Sequence, residues 1–195
     1  MSVAVRSLTG DEISAALDDL ARLRIAVFAD FPYLYDGDVA YEAAYLAEYA
    51  AAPGAVLVAA YDRDRIVGAA TGAPMLHQKA EFRAPFVVRG IDVSQLFYFG
   101  ESVLLPEYRG TGVGHAFFDQ RERQAVRSGA NAACFAAVVR AGDHPARPAG
   151  YVPLDGFWAK RGYAVVPGLV TELAWKEHGE AGESVKPMQY WLKQW

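Results

Sequence analysis

The feature that most constrains this chain is a glycine-rich turn between an apolar strand and a long helix. The predicted strand covers residues 96–105 and ends before Pro106, whose nitrogen has no hydrogen to donate to a neighbouring strand. A helix is predicted over residues 112–128, and Gly129 ends it. The first amides of a helix have no partner inside it and, together with the helix dipole, they attract anions. The turn therefore predicts an anion site at the start of the helix.

Three alternating glycines mark this turn. Gly110, Gly112 and Gly114 leave the main chain open to a ligand, and Arg109 adds a positive charge. The spacing is not that of a P-loop, because no Gly-Lys-Ser/Thr follows. It is not the dinucleotide fingerprint G-x-G-x-x-G either, because the pattern here is G-x-G-x-G. The alternative is that the glycines only allow a tight strand-to-helix turn.

Composition places the chain among folded globular proteins. Its 195 residues suit one domain, taken as residues 1–195, and 53% of them are hydrophobic. The net charge of -4 disfavours general nucleic-acid binding, which relies on clustered lysine and arginine. No apolar stretch reaches the roughly 20 residues of a membrane span, so we expect no membrane partner and a cytoplasmic location. The single cysteine, Cys134, is expected to be buried, and no residue spacing predicts a metal site.

The order of predicted elements indicates an α/β protein. Two helices precede a β-hairpin, and a strand–helix–strand unit, a short helix and two closing strands follow. Such an order is typical of a mixed sheet with helices on both faces. The two strands of the central unit, residues 96–105 and 132–139, are expected to be parallel. The other predicted elements cover residues 13–27, 41–49, 55–61, 66–71, 154–161, 170–176 and 188–193.

Two stretches resemble the GCN5-related N-acetyltransferase (GNAT) superfamily. Residues 109–114, Arg-Gly-Thr-Gly-Val-Gly, fit that family's (Arg/Gln)-x-x-Gly-x-(Gly/Ala) signature. Residues 157–163, Phe-Trp-Ala-Lys-Arg-Gly-Tyr, are similar to its Leu-Tyr-Glu-Lys-x-Gly-Phe helix end. The resemblance implies a mixed, mostly antiparallel sheet with a splayed parallel strand pair. It also implies transfer of an acetyl group from acetyl-CoA to the primary amine of a small molecule, by direct attack in a ternary complex.

The resemblance also implies where the cosubstrate acetyl-CoA binds. Its diphosphate is expected on the amides of residues 109–115, and its pantetheine is expected to pair like an extra strand with residues 103–105. The implied cofactor-binding residues are Val103, Leu104, Leu105, Arg109, Gly110, Thr111, Gly112, Val113, Gly114 and His115.

The chemistry requires a neutral amine. An alkylammonium has a pKa of about 10, so a base or a desolvated site must help it to lose its proton. Glu101 is the candidate base, because a carboxylate in an apolar strand is costly unless it has a role. The alternative is that Glu101 pairs with an arginine or faces solvent. The family's usual tyrosine acid is replaced by Trp158, which leaves Tyr151 as the second catalytic candidate and Tyr163 as another.

Candidate acceptor residues lie in two loops. One loop, residues 31–38, is rich in aromatic residues, and the other, residues 140–153, follows the central strand, where open α/β sheets bind ligands. The alternative is that the aromatic residues belong to the core and that the histidine is an ordinary surface residue. The predicted substrate-binding residues are Phe31, Tyr33, Tyr35, Arg140 and His144. Residues with a charge that attracts a cationic amine are Asp36, Asp38 and Glu42.

Two other functions stay open at this point. A non-catalytic acyl-CoA-binding or sensory domain is favoured by Trp158. An acetyltransferase that acts on a protein or peptide would need an open groove beside the acceptor site. Aromatic residues near the C-terminal strand, Tyr190, Trp191 and Trp195, suggest an exposed surface that forms a homodimer.

Overall fold

A seven-stranded sheet organises the computed structural model, which describes residues 3–195. The strands are β1 Ala4–Leu8, β2 Val56–Asp62, β3 Arg65–Pro74, β4 Leu96–Leu104, β5 Ala132–Val138, β6 Ala164–Trp175 and β7 Ser184–Gln194. They lie in the order β1-β2-β3-β4-β5-β7-β6. Neighbouring strands are antiparallel except β4 and β5, which are parallel. The predicted mixed, mostly antiparallel sheet with one parallel pair is therefore confirmed.

The helices lie between these strands. In the described part of the chain they are α1 Asp11–Ala15, α2 Leu17–Phe28, α3 Val39–Ala50, α4 Ala80–Val88, α5 Val113–Arg127 and α6 Asp155–Lys160. Short 3₁₀ helices cover Met75–His77, Val93–Gln95 and Pro106–Tyr108. Among residues 3–195, no helix combines the length and the apolar character that crossing a bilayer demands.

Alternate residues of β2 show that helices cover both faces of the sheet. Val56 and Val58 belong to the same apolar cluster as Phe117 of α5. Leu57, between them, belongs to a second cluster with Leu20 of α2. Because successive strand residues point to opposite faces, α5 and α2 lie on opposite sides of the sheet.

The two parallel strands separate soon after they meet. β4 pairs with β5 only through residues 96–98, which face residues 132–134. Beyond Tyr98, β4 still pairs with β3 as far as Leu104, and β5 pairs with β7 along its whole length. The edge of β4 that faces β5 is therefore free of strand pairing over its second half, as expected for a splayed pair.

A β-bulge lies where the strands part. Gly100 and Glu101 of β4 together face the single residue Thr71 of β3. The Glu101 N–H donates a hydrogen bond of 3.1 Å to the Thr71 hydroxyl oxygen. A Cβ on residue 100 would lie 2.5 Å from that oxygen, so Gly100 is the residue that fits this close approach.

A buried arginine of α5 holds the bulge from the opposite side. Arg121 Nη1 donates to the carbonyls of Thr71 at 3.2 Å and Glu101 at 3.4 Å, and Nη2 donates to Ser102 Oγ at 2.9 Å. Its guanidinium carbon lies 4.3 Å from the ring centre of Phe99. Burial lowers the pKa of Arg121 to about 10, so it remains a cation at neutral pH. Main-chain carbonyls and the Ser102 hydroxyl, rather than a carboxylate, receive its hydrogen bonds.

Several element boundaries differ from those predicted. The helix expected over residues 13–27 is two helices, α1 and α2, with Ala16 between them at φ -101° and ψ 0°. β1 was not predicted, because its short edge strand is mostly exposed and carries no clear apolar alternation. β6 and β7 begin earlier than expected. Their pairing is interrupted between Val165 and Val170. A proline and a glycine in this stretch explain why the sequence pattern did not predict the first part of β6.

The C-terminal aromatic residues are not the exposed surface expected of a dimer interface. Tyr190 is fully buried and Trp191 is 8% exposed, and both pack in this chain's own core. Trp195 is 44% exposed and its indole N–H donates to the Ala130 carbonyl. Cys134 is buried, as expected, and burial raises the pKa of its thiol well above the ordinary value.

We expect Gly100→Ala to lower the free energy of unfolding by about 1–3 kcal/mol, because the new Cβ overlaps the Thr71 hydroxyl. Urea denaturation measures this change. Adding Thr71→Ala should recover part of the loss, since that substitution removes the overlapping oxygen. The control is Gly156→Ala, where no atom lies within 4 Å of the new Cβ. Equal stability of the Gly100 and Gly156 variants would contradict this account of the bulge.

Candidate functional site

The start of α5 exposes main-chain donors, as the sequence predicts. Gly112 precedes the helix with φ 89°, and Gly110 has φ 75°, two left-handed conformations that favour glycine. The first hydrogen bond within the helix runs from Ala116 N–H to the Gly112 carbonyl. No side chain caps the helix start. The amides of the first turn are therefore available to an anion.

Side chains of the turn hold its shape. Arg109 Nε donates to the Leu104 carbonyl at 3.3 Å, and the Thr111 hydroxyl donates to the Tyr108 carbonyl at 2.6 Å. The Tyr108 hydroxyl donates to Asp62 at 2.8 Å. The Thr111 hydroxyl is thus used within the turn, and what this residue offers a ligand is its amide.

A cavity of about 920 Å³ opens at this helix start; we call it the first cavity. It runs along the free edge of β4 to the loop around Phe31. Six of the predicted cofactor-binding residues line it, namely Leu104, Arg109, Gly110, Gly112, Gly114 and His115. Val103 and Val113 are buried, Val103 pairs with Ala69 of β3, and the Leu105 N–H donates to the Val67 carbonyl.

A second cavity of about 500 Å³ lies on the opposite face of β4. Eight of its nineteen lining residues are aromatic, and the predicted Tyr33 and Tyr35 are among them. Its aromatic residues are Phe28, Tyr33, Tyr35, Tyr41, Tyr45, Phe82, Tyr98 and Trp175. Burial raises the pKa of Tyr33 to about 12 and also raises the pKa of Tyr45, so both phenols are neutral near pH 7.

The two cavities meet where β4 and β5 part. Gly100, Glu101 and Ala136 line both of them, as do Phe28 and Tyr33. The parallel register that pairs Tyr98 with Cys134 brings Gly100 level with Ala136, two residues beyond the last paired position. The gap between the separating strands therefore connects the first cavity with the second cavity, and Glu101 lies beside this passage.

Glu101 belongs to a buried charge cluster. Its Oε2 lies 2.7 Å from Arg24 Nη1, and Arg24 Nε lies 2.5 Å from Glu42 Oε2. Glu42 is fully buried and its second oxygen has no hydrogen-bond partner. Burial opposes the charge of Arg24, yet Glu101 and Glu42 keep its pKa above the ordinary value. Two carboxylates share one guanidinium, so the cluster, which we call the Arg24 cluster, carries a net negative charge.

The arginine pairing foreseen as an alternative for Glu101 is thus present. The other acidic residues expected near the acceptor have separate partners. Asp36 pairs with Lys176 at 2.7 Å, and Asp38 caps α3 by accepting the Tyr41 N–H at 2.8 Å. Of the three, only Glu42 belongs to the Arg24 cluster.

Tyr151 lies at the mouth of the first cavity. Its ring is 4.7 Å from that of Phe31 in an edge-to-face contact, and both residues line the cavity. Burial raises the pKa of the Tyr151 phenol. Tyr163, the other tyrosine considered, is buried and donates its hydroxyl hydrogen to Glu122 at 3.1 Å. It is not among the residues that line either cavity, so only Tyr151 faces ligand space.

Arg140 and His144 do not line either cavity in the described part of the chain. Arg140 donates to the carbonyls of Pro32 and Tyr33 and forms an ion pair with Glu177. It fixes the aromatic loop to the segment after β6, which is a structural role and not the direct substrate contact predicted. The His144 ring packs 5.6 Å from that of Phe31.

Sequence reasoning missed Arg24 and Arg121, the two cations that surround Glu101. Arg24 follows Leu20 by four residues on α2, and Arg121 follows Phe117 by four on α5. Both therefore occupy apolar positions of a helical pattern, where a charged residue is unusual. A charge within an apolar helix stripe is the signal that would have found them. Among residues 3–195, no group of three or more histidine, cysteine or acidic residues is arranged to hold a metal ion.

Comparisons with known proteins agree with this geometry. The model of the acetyltransferase (GNAT) family matches residues 20–149, which are 130 of the 195 residues. A comparison with curated proteins gives no match.

Three solved structures illustrate the shared fold. A Salmonella typhimurium protein described as an acetyltransferase, with its cofactor acetyl-CoA, has TM-score 0.63 and 11% identity, covering 100% of this chain and 94% of its own. A ribosomal-protein-alanine N-acetyltransferase from Brucella melitensis has TM-score 0.62 and 13% identity, covering 98% and 99%. An aminoglycoside 6'-N-acetyltransferase complexed with coenzyme A has TM-score 0.61 and 16% identity, covering 98% and 96%.

We expect Arg24→Met to lower the free energy of unfolding by about 3–5 kcal/mol, because it leaves two buried carboxylates without their cation. Urea denaturation at pH 7 measures the loss. Arg22→Met on the same helix is the matched control, since Arg22 forms an exposed pair with Asp19 and should change stability by less than about 1 kcal/mol. A similar small change in both variants would mean that the Arg24 cluster is not held as described.

Proposed function

We propose a function from one premise, which is that the chain belongs to the acetyltransferase (GNAT) family. We infer that it transfers an acetyl group from acetyl-CoA to the primary amine of a small molecule, by direct attack in a ternary complex. The observation that carries this proposal is the passage beside Glu101, which joins the cavity at the start of α5 to the aromatic cavity on the other face.

The residues around the first cavity fit acetyl-CoA. The free amides at the start of α5 suit the diphosphate, and glycine at positions 110 and 112 leaves open space around them. The unpaired edge of β4 suits pantetheine, whose amide groups need main-chain partners. The Arg109 guanidinium adds positive charge at the same end. These features support placing the diphosphate at residues 109–115 and the pantetheine along residues 103–105.

Acetyl-CoA, when bound, supplies an activated acetyl thioester, so that the amine nitrogen gains the acetyl carbon while the thiol of coenzyme A leaves with a proton. The chain's own task is to hold a neutral amine beside Gly100 and Glu101. An aromatic cavity removes water from the ammonium, which favours loss of its proton. Positioning of the two substrates then supplies much of the rate increase.

Glu101 is our candidate to accept that proton, directly or through water. Arg24 engages Oε2 of Glu101, which holds the carboxylate in place beside the passage. Arg24 is itself shared with Glu42. Tyr151 at the cavity mouth is the candidate proton donor to the leaving thiol, and Trp158 occupies the position of the family's usual tyrosine. A thiol has a pKa of about 8.5 and leaves acceptably without a strong acid.

A fixed loop beside the second cavity favours a small molecule over a protein. The loop that carries Tyr33 and Tyr35 is held by Arg140, by the bridge between Tyr35 and Glu177, and by the Asp36 N–H donating to the Lys176 carbonyl. This loop forms one side of the second cavity and narrows the space for a peptide there.

Gly112→Asp should weaken acetyl-CoA binding at least 100-fold, because a carboxylate at the helix start repels the diphosphate. Isothermal titration calorimetry measures the Kd. The matched control is Gly129→Asp, which places the same side chain at a glycine of similar positive φ beyond the other end of α5. Unchanged affinity in the Gly112 variant would remove the diphosphate from this turn.

Glu101→Gln should lower kcat by about 100-fold and change its pH profile, while the Kd for acetyl-CoA stays unchanged. Steady-state release of the coenzyme A thiol measures kcat and its pH profile. Glu42→Gln is the control, because it alters the same Arg24 cluster without touching either cavity, and its kcat should fall less than tenfold. Equal losses in the two variants would assign Glu101 to structure instead of proton transfer.

A further inference from the structure

We infer that the acceptor is an amine with a single ammonium on an apolar body. This inference rests on the proposed function and concerns the second cavity. The cavity presents two different surfaces, a charged floor beside the passage and an apolar wall leading away from it. One end of the acceptor must therefore be cationic and the rest apolar.

The apolar wall dominates the second cavity. Eight of its nineteen lining residues are aromatic, and five more carry aliphatic or thioether side chains. Phenyl and indole rings bury large apolar areas, and their faces attract a cation. The aliphatic and thioether residues are Ala136, Leu173, Ala174, Val185 and Met188. Five of the eight aromatic residues are tyrosines, so a polyhydroxylated acceptor would depend on their hydroxyl groups and on the charged lining residues for its hydrogen bonds, while the rest of the wall offers almost none.

The charge that faces the amine lies beside the passage. Glu101 lines both cavities, and the Arg24 cluster behind it has one more negative charge than positive. Lys79 also lines the second cavity, but it pairs with Glu48 at 3.3 Å. The reacting ammonium therefore meets the Glu101 carboxylate at the place where β4 and β5 separate, while Arg121 contacts the main-chain carbonyl of the same residue.

Two exposed carboxylates, Glu81 and Glu172, also line the second cavity. They suit a second ammonium, so a diamine is the competing acceptor. Exposed ion pairs contribute within about fivefold to an affinity, whereas burial of an aromatic ring contributes much more. The apolar wall therefore contributes more to the affinity than these two carboxylates do. We expect the monoamine to be favoured over the diamine.

A matched pair of amines tests the inference. The full-length chain, acetyl-CoA and either hexylamine or 1,6-diaminohexane are mixed, and release of the coenzyme A thiol is followed. The two amines have the same length and differ by one ammonium. We expect kcat/KM for hexylamine to exceed that for 1,6-diaminohexane by at least 30-fold, and 2-phenylethylamine to match or exceed hexylamine. A preference for the diamine or for an aminoglycoside would overturn the inference and leave the proposed function standing. A preference for a peptide with a free N-terminal alanine would overturn both the inference and the small-molecule acceptor of the proposed function.

Failure of the proposed function gives a different result. In that case acetyl-CoA binds in calorimetry, but no amine of the panel releases thiol, which also overturns the inference. The one panel thus distinguishes an acetyltransferase with a polar acceptor from a protein that only binds acetyl-CoA.

Variants of the apolar wall supply an independent test. Leu173→Asp should lower kcat/KM for hexylamine at least tenfold, and the loss for 1,6-diaminohexane should be smaller. Tyr41→Ala, at a half-exposed wall residue, should lower kcat/KM for 2-phenylethylamine about fivefold even if the first variant folds poorly. The control is Val87→Asp, an exposed residue of α4 that lines neither cavity, and it should keep the parent values. Equal losses for both amines in Leu173→Asp, or no loss in Tyr41→Ala, would contradict the assigned wall.

Discussion

The two-for-one bulge of β4 opposite Thr71 is the constraint on which the rest of this site depends. It turns the strand away from β5 two residues after their last paired position, and it leaves main-chain groups of β4 without a strand partner. Unpaired main-chain groups inside a protein need water or a ligand. The same irregularity therefore supplies both the free edge along the first cavity and the passage to the second.

Glu101 is held from both faces of the sheet. Arg121 of α5 binds its carbonyl oxygen from one side, and Arg24 of α2 binds its carboxylate from the other. Each arginine is in turn packed against aromatic rings, Phe99 for Arg121 and Tyr45 for Arg24. Burying two cations around one residue costs free energy of desolvation. Such a cost is typical of functional sites, and here it is spent on fixing the position of Glu101.

The sequence predicted the backbone of the turn before α5 more completely than the surroundings of Glu101. The glycines of the turn lie close together in the sequence, and β5 is one continuous apolar run. Each pattern is local, so rules for backbone conformation and strand burial apply to it directly. The Arg24 cluster joins residues 24, 42 and 101, whose proximity depends on how α2 and α3 pack on β4. Tertiary packing also decides the contacts of Arg140. This residue comes directly after β5, where ligand-binding residues are expected, but its side chain donates to the Tyr33 carbonyl. Edge strand β1 lacked an apolar alternation to reveal it.

The place of β7 in the sheet has a consequence for biosynthesis. This strand is the last of the described chain, yet it lies between β5 and β6 and pairs with both. A nascent chain on the ribosome has neither this strand nor the Met188 side chain of the second cavity until β7 has been translated. Until then the edge of β5 is open to association with other chains. Pairing on this side of the sheet is thus completed only after β7 has been translated.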